Sequence, residues 1–493
     1  PGHPDERDAH VTIPTMKTIL GIEGTTPDSL VRNLRFQGLA FRDTDGPETF
    51  GRGDNFVEEA AILLSYVDGI VVEGCRIANT GVHGILLDDY AQHCEIRNNL
   101  VEQTGYNGIA LIGKYHTQGF PGVETPEDGM FNRDNLVEGN LVRESGDLVG
   151  HSHGIYLYLS GRNRILHNTV YRSSSNAITL HGALYGYMEG ATWFGIPLTK
   201  ENYDAFCYTQ GNEVRGNDLF DSMYDSSDGG IIGTFGTGRG NVYEENFVHD
   251  STGVPKGGVV GIYMDDSSNG ALIRKNVISR IGTRDLEFCT VTMLKGLDIV
   301  FENNKAVDCV TDWGMIGVVY TGVEAYSTGG TPPSIIPDTK NTILRRNIIE
   351  ERNSEEKGRA LYHLQRYTPP MIAEADWNLY FTTLPFMGVY GNSLMPEWQG
   401  WGYLTLEKFF ALEDGRLEAH SLFDQDPLFL DPDEDDYRLD AASPAFGLGF
   451  EEFDVTDAGI ASDSAWRTPM LVTFRLARDG DTLAADVRVA SLP

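Results

Sequence analysis

Cysteine is scarce in this chain, and its spacing excludes two kinds of protein. Five cysteines occur in 493 residues, none of them in a CxxC pair, and their number is odd. These features argue against a zinc module and against a complete disulfide framework. We expect small, buried side chains instead. The five are Cys75, Cys94, Cys207, Cys289 and Cys309.

Positive charge and long apolar runs are also in short supply. The chain has 38 basic and 72 acidic residues, a formal net charge of −34 and a pI near 4.6. Such a chain is repelled by nucleic acids and by anionic membrane surfaces, which excludes both as main partners. No apolar run approaches the roughly 20 residues that span a bilayer. The sequence also lacks a glycine-rich phosphate loop and a nucleophile elbow, and we expect no cofactor.

What the chain does have is one phrase, repeated many times. The phrase is two apolar residues, two variable residues, an asparagine and two more apolar residues, as in EIRNNLV, RILHNTV and LIRKNVI. The shorter steps between neighbouring asparagines are 28 to 30 residues, and longer steps indicate coils that carry inserted loops. The asparagines are Asn99, Asn140, Asn168, Asn217, Asn246, Asn276, Asn304 and Asn347.

A second alternating run follows each asparagine, often opening with Gly-Ile, as in HGILLDD, HGIYLYL and GIYMDD. Strands this short, without helix-length segments between them, do not suit a βαβ fold. The L-x-x-L-x-L signature of a leucine-rich repeat is missing as well. Asparagine suits the turn because it tolerates the left-handed conformation and can hydrogen-bond from coil to coil. The sequence therefore predicts an all-β parallel β-helix, a solenoid of stacked strands.

The extent of the repeat divides the chain into four predicted segments. Terminal repeats of a solenoid need caps, and insertions on one face usually shape a binding surface. The predicted segments are capping strands in 1–30, coils in 31–367 with insertions at 114–134, 183–210 and 319–340, a loop-rich arm with a short helix in 368–462, and a strand-like tail in 463–493, either an edge hairpin or an appendage.

The alternation in each Gly-Ile strand predicts which side chains face outward. If the isoleucine points inward, the first and the third residues after it point outward, because successive side chains alternate. The intervening inward residues are then Leu87, Leu111, Leu157, Leu180, Gly233 and Met264. One outward column is Leu86, Ala110, Tyr156, Thr179, Ile232 and Tyr263. The other is Asp88, Ile112, Tyr158, His181, Thr234 and Asp265.

These columns combine the groups that a saccharide groove requires. Aromatic faces bind the apolar faces of sugar rings, and carboxylates and imidazoles supply acid and base groups. We therefore expect Tyr156, Tyr158, Tyr263 and Thr234 to contact substrate.

Two aspartates are the candidate catalytic pair. Asp265 lies in the pleat of GIYMDD, and Asp228 enters the neighbouring strand just ahead of its glycines. Glycosidase carboxylates stand roughly 5 Å apart for retention and roughly 6.5 to 9.5 Å apart for inversion. The alternative is that these residues only form turns, which aspartate favours. Asp266 is interpreted as a turn residue bordering the substrate, and the Asp88-Asp89 doublet as a turn five strand levels away.

Two histidines join the candidate site. His181 shares the column of Asp265 and is a third candidate catalytic residue, and His153 precedes HGIYLYL and is a candidate substrate ligand. A histidine here could orient hydroxyls, serve as a base, or simply pack. The acidic run DQDPLFLDPDEDD does not match the spacing of a calcium loop, so we predict no metal site.

Several stretches together resemble a known group of proteins. GGIIGTFG, NVYEENFVHD, GIYMDDSSNGALIRKNVI and the late DPLFLDPDEDDYRLDAASPAFGLGF are similar to right-handed parallel β-helix proteins of carbohydrate metabolism. The resemblance is nearest to proteins related to glycoside hydrolase family 141, which holds α-L-fucosidases and xylanases. It implies a right-handed parallel β-helix with inserted loops and a C-terminal packing arm. It also implies two groove carboxylates that carry hydrolysis, a role that maps by position onto Asp228 and Asp265.

Three functions stay open at this point. The first is a glycoside hydrolase that uses the two carboxylates as general acid and as nucleophile or base. The second is a polysaccharide lyase that acts on uronates with a tyrosine or histidine base; the predicted columns contain no lysine or arginine for this reaction. The third is a noncatalytic glycan-binding solenoid. In each case the partner is a polysaccharide or oligosaccharide, and we expect a secreted or periplasmic bacterial monomer.

Overall fold

Short strands separated by left-handed residues build this molecule. Its computed structural model describes residues 13–46, 57–116, 123–184, 190–199, 201–254, 257–282, 288–310, 314–319, 339–351, 361–365, 367–382, 386–390, 401–411, 414–466, 470–479 and 482–491. Strands from successive coils stack into three long sheets, which we call A, B and C. Within the described residues these sheets hold 15, 12 and 11 strands.

Sheet A carries the Gly-Ile strands. Its members are β1 (Leu20–Glu23), β2 (Val31–Arg32), β5 (Ala60–Asp68), β8 (His83–Gln92), β11 (Ile109–Ile112), β12 (Asn132–Arg133), β15 (Ile155–Tyr158), β18 (Ile178–His181), β23 (Gly230–Phe235), β26 (Gly258–Met264), β29 (Phe288–Leu294), β32 (Ile316–Val319), β35 (Tyr362–Gln365), β38 (Phe386–Tyr390) and β39 (Trp401–Thr405).

Sheet B follows the repeated asparagines. Its members are β4 (Ala40–Arg42), β7 (Arg76–Thr80), β10 (Leu100–Thr104), β14 (Leu141–Ser145), β17 (Thr169–Ser173), β22 (Asp218–Phe220), β25 (Phe247–Ser251), β28 (Val277–Ile281), β31 (Lys305–Val307), β34 (Ile348–Glu351), β37 (Leu379–Thr382) and β40 (Leu422–Phe423).

Sheet C precedes the same asparagines. Its members are β3 (Arg35–Gln37), β6 (Val71–Glu73), β9 (Glu95–Arg97), β13 (Leu136–Glu138), β16 (Arg164–Leu166), β21 (Glu213–Arg215), β24 (Val242–Glu244), β27 (Leu272–Arg274), β30 (Val300–Glu302), β33 (Thr342–Arg345) and β36 (Ile372–Asp376).

The remaining elements are small. Three antiparallel pairs are β19 (Thr192–Trp193) with β20 (Ile196–Pro197), β41 (Phe429–Asp431) with β42 (Asp436–Leu439), and β43 (Met470–Asp479) with β44 (Thr482–Ser491). The helices of the described residues are α1 (Leu406–Ala411) and 3-10 turns at Glu127–Gly129, Tyr203–Phe206, Pro369–Met371, Pro432–Glu434 and Pro444–Leu448. No helix among these is long and apolar enough to cross a membrane.

Each coil visits the sheets in the order A, C, B, as β8, β9 and β10 do, and pairs in parallel with the coils on either side. The chain is a right-handed parallel β-helix, which confirms the predicted fold class. Its interior is filled by inward side chains from all three sheets, such as Ile85 of sheet A, Ile96 of sheet C and Val101 of sheet B, each with no exposed surface.

The repeated asparagines form a continuous hydrogen-bonded ladder inside the turn between sheets C and B. Asn217 accepts a hydrogen bond from the backbone N–H of Asn168 at 2.9 Å, and its Nδ2 donates to Asn246 Oδ1 at 2.9 Å and to the backbone oxygen of Ile165 at 2.9 Å. The same pattern runs from Asn99 to Asn378, which we call the asparagine ladder.

The residue before each ladder asparagine, rather than the asparagine, takes the left-handed conformation. Asn98, Glu245 and Lys275 have φ of 54°, 56° and 54°. The predicted reason for asparagine at this position is therefore half right. Its amide bonds the coils together, because it can satisfy buried backbone groups on two levels, while its neighbour makes the turn.

The ladder also corrects the predicted end of the coils at residue 367. Strands β36 and β37 pair in parallel with β33 and β34, and Asn378 between them continues the ladder. The sequence there is EADWNLY, in which Glu374 and Ala375 replace the two large apolar residues that open the repeated phrase. Because of this replacement, the repeated phrase does not identify this coil.

The C-terminal arm packs on the outer face of sheet B. Tyr437, Leu448 and Phe453 cover outward residues such as Val277 and Ile348. Lys305 of β31 is completely buried beneath the arm. Its Nζ donates to Glu452 Oε1 at 2.6 Å and to the backbone oxygens of Tyr437 and Phe453 at 2.8 and 3.0 Å. The arm is thus fixed by both apolar burial and a buried ammonium.

The first two predicted insertions pack against each other beside sheet A, and most of the third lies outside the described residues. Tyr115 from the first stacks on Trp193 from the second with ring centroids 3.4 Å apart. Met130, Phe131 and Phe206 extend this cluster.

The predicted tail contains the hairpin of β43 and β44. Four of the five cysteines are buried and free, as expected; nothing is described of the side chain of Cys289.

Candidate functional site

The outer face of sheet A carries the predicted columns, with one change of register. Tyr156 pairs with Thr179 and Tyr158 with His181, as predicted. At β23, however, Gly233 pairs with both Thr179 and Tyr263, and Phe235 pairs with His181. The predicted outward positions of Ile232 and Thr234 and the predicted inward position of Gly233 are therefore wrong by one residue.

The shift at β23 has a simple cause in GGIIG. Every coil places two consecutive residues inward at the start of its sheet A strand, and the first is usually small, as in Gly154-Ile155 and Ala177-Ile178. Ile231 occupies that first position, so Ile232 is the counterpart of the other isoleucines. We call the side chains of Asp88, Ile112, Tyr158, His181, Phe235, Asp265 and Lys295 the outer column.

A cavity of about 230 Å³ opens over this face between β15 and β26. It collects residues from four successive coils, because parallel in-register strands bring equivalent positions within about 4.8 Å of each other. The residues that line it are His151, His153, Asn176, Thr179, His181, Asp228, Gly229, Gly233, Thr234, Phe235, Tyr263 and Asp265.

Lys295 organises the carboxylate end of this cavity. Its Nζ donates to Asp265 Oδ1 at 2.7 Å and to the Tyr263 hydroxyl at 2.8 Å. The side chains of Lys295 and Asp265 are 16% and 23% exposed, so little water screens the pair. Although burial lowers it, the charges of Asp265, Asp266 and Asp228 raise the pKa of Lys295 above its usual range. The lysine is therefore a fixed cation.

Asp266 is buried next to the pair of Lys295 and Asp265. The residue is 4% exposed, and its Oδ1 is 3.8 Å from Lys295 Nζ. Burial, followed by the charge of Asp265, raises the pKa of Asp266 to about 6. Asp266 follows the strand in a turn, as predicted, and it is not among the residues that line the cavity.

Tyr263 is held protonated by its surroundings. Burial, together with the charges of Asp265, Asp228 and Asp266, raises the pKa of Tyr263 well above its usual value. The ring also receives Lys295 Nζ at 5.0 Å from its centroid, a cation–π contact. Tyr263 can therefore donate a hydrogen bond at neutral pH.

Histidines line the opposite end of the cavity, and Tyr156 packs against them. His181 Nδ1 is 3.1 Å from the Tyr156 hydroxyl, and His153 Nδ1 is 3.0 Å from Thr179 Oγ1. His153 stacks on Tyr156 with centroids 5.1 Å apart. Burial, with His151 and His181 nearby, lowers the pKa of His153 well below its usual value. His153 is therefore a neutral imidazole that can exchange hydrogen bonds with hydroxyl groups.

The structure brings together most of the predicted site residues and adds one cation. Thr234 lines the cavity, but its Oγ1 bonds to Ser268 Oγ at 2.6 Å, which is the result of its inward register. Tyr156 and Tyr158 lie alongside the cavity, with their ring centroids 6.5 Å apart. Lys295 was missed because the columns were ended at Asp265 and because FCTVTMLKG does not open with Gly-Ile. Continuing the alternation by one coil finds it.

Among the further residues that sequence reasoning missed, Asn176 and Phe235 line the cavity beside the predicted set. The ring of Phe235 meets that of His181 edge-on at 5.0 Å. Asn176 was overlooked because it lies one position before the first inward residue of β18. No group of three or more His, Cys, Asp or Glu within the described ranges is placed to hold a metal ion.

One family model matches the sequence. Residues 52–230 match the family described as periplasmic copper-binding protein (NosD), which is just over a third of the chain. No curated protein matches the sequence.

Several solved structures are similar to the chain at low identity. The A-module of mannuronan C-5 epimerase AlgE6 from Azotobacter vinelandii is 12% identical, with 73% of this chain and 80% of that one covered and a TM-score of 0.41. A PL6 family polysaccharide lyase from Pseudopedobacter saltans is 11% identical, with 91% and 93% covered and a TM-score of 0.39. The catalytic unit of a GH87 α-1,3-glucanase from Streptomyces thermodiastaticus is 13% identical, with 53% and 47% covered and a TM-score of 0.31.

Proposed function

We propose that the protein is a glycoside hydrolase that cleaves neutral polysaccharides or oligosaccharides with Asp228 and Asp265 as its working pair. The observation that carries this proposal is that both carboxylates line one cavity, on the outer face of sheet A, together with aromatic and imidazole groups. Hydrolysis of a glycosidic bond needs a carboxylic acid on one side and a carboxylate on the other.

The contacts of Lys295 support a different role for each carboxylate. The ammonium 2.7 Å from Asp265 stabilises the ionised carboxylate, as nucleophile or as base for a water molecule requires. Asp228 is then the acid that protonates the leaving oxygen. The anomeric configuration of the first product tells whether Asp265 attacks the sugar directly or activates water.

The rest of the cavity is suited to hold a sugar ring. Phe235 and Tyr263 supply aromatic surface, and the neutral His153 and the amide of Asn176 supply hydrogen bonds to hydroxyl groups. The Tyr263 hydroxyl, held by Lys295, lies next to the reacting carboxylate.

Electrostatics favour a neutral substrate over a uronate. The charges of Asp265, Asp266 and Asp228 all act on the pKa of Lys295, so three carboxylates stand against one ammonium among the described residues at this end of the cavity. A uronate carboxylate entering this cavity would therefore meet net negative charge.

A polysaccharide lyase is the second candidate, because Lys295 and Tyr263 are side chains that elimination can use. The observations weaken this candidate, however. The pKa of each residue is raised, so neither is a ready base at neutral pH. His181 is then the residue on which elimination would depend.

Product analysis separates these functions. The wild-type protein is incubated with fucosylated, xylan-type, galactan and uronate polysaccharides, and the products are examined by NMR and ultraviolet absorbance. We expect saturated reducing sugars from a neutral glycan, in line with the resemblance to the α-L-fucosidase and xylanase group. Unsaturated uronate ends would establish the lyase instead, and binding without products would establish the noncatalytic solenoid.

A polymeric substrate and the match to a periplasmic family support a secreted or periplasmic setting. That the chain acts as a monomer stays a prediction.

A further inference from the structure

A second cavity lies on the same outer face of sheet A, towards the N-terminal end. It has a volume of about 340 Å³ and is bordered by side chains of both charge signs and by apolar walls. The residues that line it are Val57, Glu58, Asp88, Ile112, Gly113, Lys114, Tyr115, Tyr158 and Leu159.

Asp88 is the feature that points to a ligand. The residue is 7% exposed and pairs within β8, so the predicted turn is wrong for Asp88; Asp89, also within β8, takes the left-handed conformation with a φ of 55°. Asp88 Oδ2 accepts a hydrogen bond from Lys114 Nζ at 3.1 Å. Its Oδ1 is buried and has no hydrogen-bond partner within the described residues. A buried carboxylate oxygen without a donor is costly, and a ligand hydroxyl would satisfy it.

The surroundings of Asp88 favour a neutral, hydroxyl-bearing ligand. Lys114 is already paired with Glu58 at 2.8 Å as well as with Asp88, so its charge is balanced. An anionic ligand would face two carboxylates and one ammonium. Ile112 and Tyr158 supply an apolar floor and an aromatic ring, which suit the apolar face of a sugar.

The two cavities belong to one row of side chains. Tyr158 borders this second cavity, and its ring meets that of His181, which lines the first, edge-on at 5.4 Å. Asp88 and Asp265 are five strands apart in the order β8, β11, β15, β18, β23 and β26. At about 4.8 Å a strand, this separation is roughly 24 Å. Only an extended chain can occupy both places.

We propose that the Asp88 cavity is a distal saccharide-binding subsite, in which Asp88 accepts a hydroxyl of a sugar unit of the chain that is cleaved at Asp265. This inference rests on the proposed function, and it makes the protein an enzyme of long glycans rather than of disaccharides. Binding in the distal subsite lowers the free energy of the bound chain without touching the reacting bond.

Substrate length combined with a single substitution tests the subsite. The probes are neutral oligosaccharides, from disaccharide to octasaccharide, prepared from the polysaccharide that the wild type cleaves. We expect kcat/KM to rise sharply once the chain is long enough to reach Asp88. In Asp88→Asn this rise should be about tenfold smaller, because a hydrogen bond to a charged acceptor is lost. Glu58→Gln is a second variant, which neutralises the other carboxylate paired with Lys114 at a side chain that is 69% exposed. It should reduce the rise about threefold, because Lys114 then loses one of the two carboxylates that hold it beside Asp88.

The matched control is Glu213→Gln, a carboxylate on the outer face of sheet C that pairs with Arg164. It should follow the wild type at every length. If Asp88→Asn and Glu58→Gln fold and also show the wild-type increase of kcat/KM with chain length, the distal subsite is refuted and the proposed hydrolase is not.

Binding on an inactive background separates failure of the subsite from failure of the function. Calorimetric titration with neutral xylan and galactan oligosaccharides uses Asp265→Asn with and without Asp88→Asn. If the double variant binds long chains about tenfold more weakly than Asp265→Asn alone, the distal subsite is supported. Should the wild type at the same time cleave no glycan, only the proposed hydrolase is overturned. Absence of binding by either protein overturns both.

Discussion

Lys295 Nζ lies 2.7 Å from Asp265 Oδ1, and the two residues stand in the same column of sheet A on adjacent coils. The register of the β-helix, rather than any local motif, makes this contact. It places the carboxylate of Asp265 beside a buried ammonium, next to Tyr263.

Replacing Lys295 should therefore slow catalysis. In Lys295→Met the carboxylate of Asp265 loses the ammonium that donates to it. We expect kcat to fall about 100-fold, because a charge-assisted hydrogen bond at the reacting group is lost. Arg164→Met, which removes an exposed cation from sheet C, should leave kcat unchanged. A folded Lys295→Met protein with the kcat of the wild type would remove Lys295 from the mechanism.

Asp266 should make the protein less stable at neutral pH than at mildly acidic pH. Its folded pKa of about 6 is above the usual unfolded value of about 3.9. Between these values the folded state holds a proton that the unfolded state has released. The free energy of unfolding therefore decreases as pH rises through this window.

Asp266→Asn should remove this dependence and stabilise the protein at pH 7 by up to about 3 kcal/mol. Urea unfolding between about pH 4 and pH 7 measures it. Asp128→Asn serves as a contrast of opposite sign: hydrogen bonds from Thr125 lower the pKa of Asp128, so the stability it provides is lost as pH falls. An unchanged slope in Asp266→Asn would contradict the assignment.

The asparagine ladder should be a main source of stability. Asn217→Ala removes an acceptor for Asn168 and donors to Ile165 and Asn246, all of them buried. We expect a loss of about 3 kcal/mol in the free energy of unfolding. Asn202→Ala, in the second insertion, removes two hydrogen bonds of a loop. It should cost less than about 1 kcal/mol; equal losses in the two variants would argue against a special role for the ladder.

The sequence pattern predicted the coils because the residues that define them are local. The spacing of the ladder asparagines and the Gly-Ile strands identified most of the β-helix and placed Tyr158, His181 and Asp265 in one column. It could not show that Ile231 rather than Ile232 takes the small-residue position. Nor could it join Lys295 to Asp265, since that contact depends on how adjacent coils align.

The distal cavity shows the limit of local interpretation most clearly. Asp88-Asp89 has the composition of a turn, and Asp89 has a φ of 55°, yet both lie within β8. Asp88 pairs with Ser65 of β5 and with Ile112 of β11, whereas Asp89 takes the left-handed conformation where the pairing of β5 with β8 shifts register. Pairing with neighbouring strands therefore overrides the turn preference at Asp88 but not at Asp89.

Lys305 should fix the C-terminal arm without affecting chemistry. Lys305→Met leaves Glu452 and two backbone oxygens without their buried donor. We expect a loss of about 3 kcal/mol in the free energy of unfolding. The kcat of the protein that remains folded should match that of the wild type, in contrast to Lys295→Met. Full stability of Lys305→Met would show that the apolar contacts of the arm suffice.

The most direct test of the proposed hydrolase is the turnover of Asp265→Asn on the glycan that the wild type cleaves. Asparagine keeps the size of the side chain and removes its charge, so the fold should be retained, with a thermal midpoint close to that of the wild type. We expect turnover to fall at least about 1,000-fold. A folded Asp265→Asn protein with wild-type turnover would contradict the account.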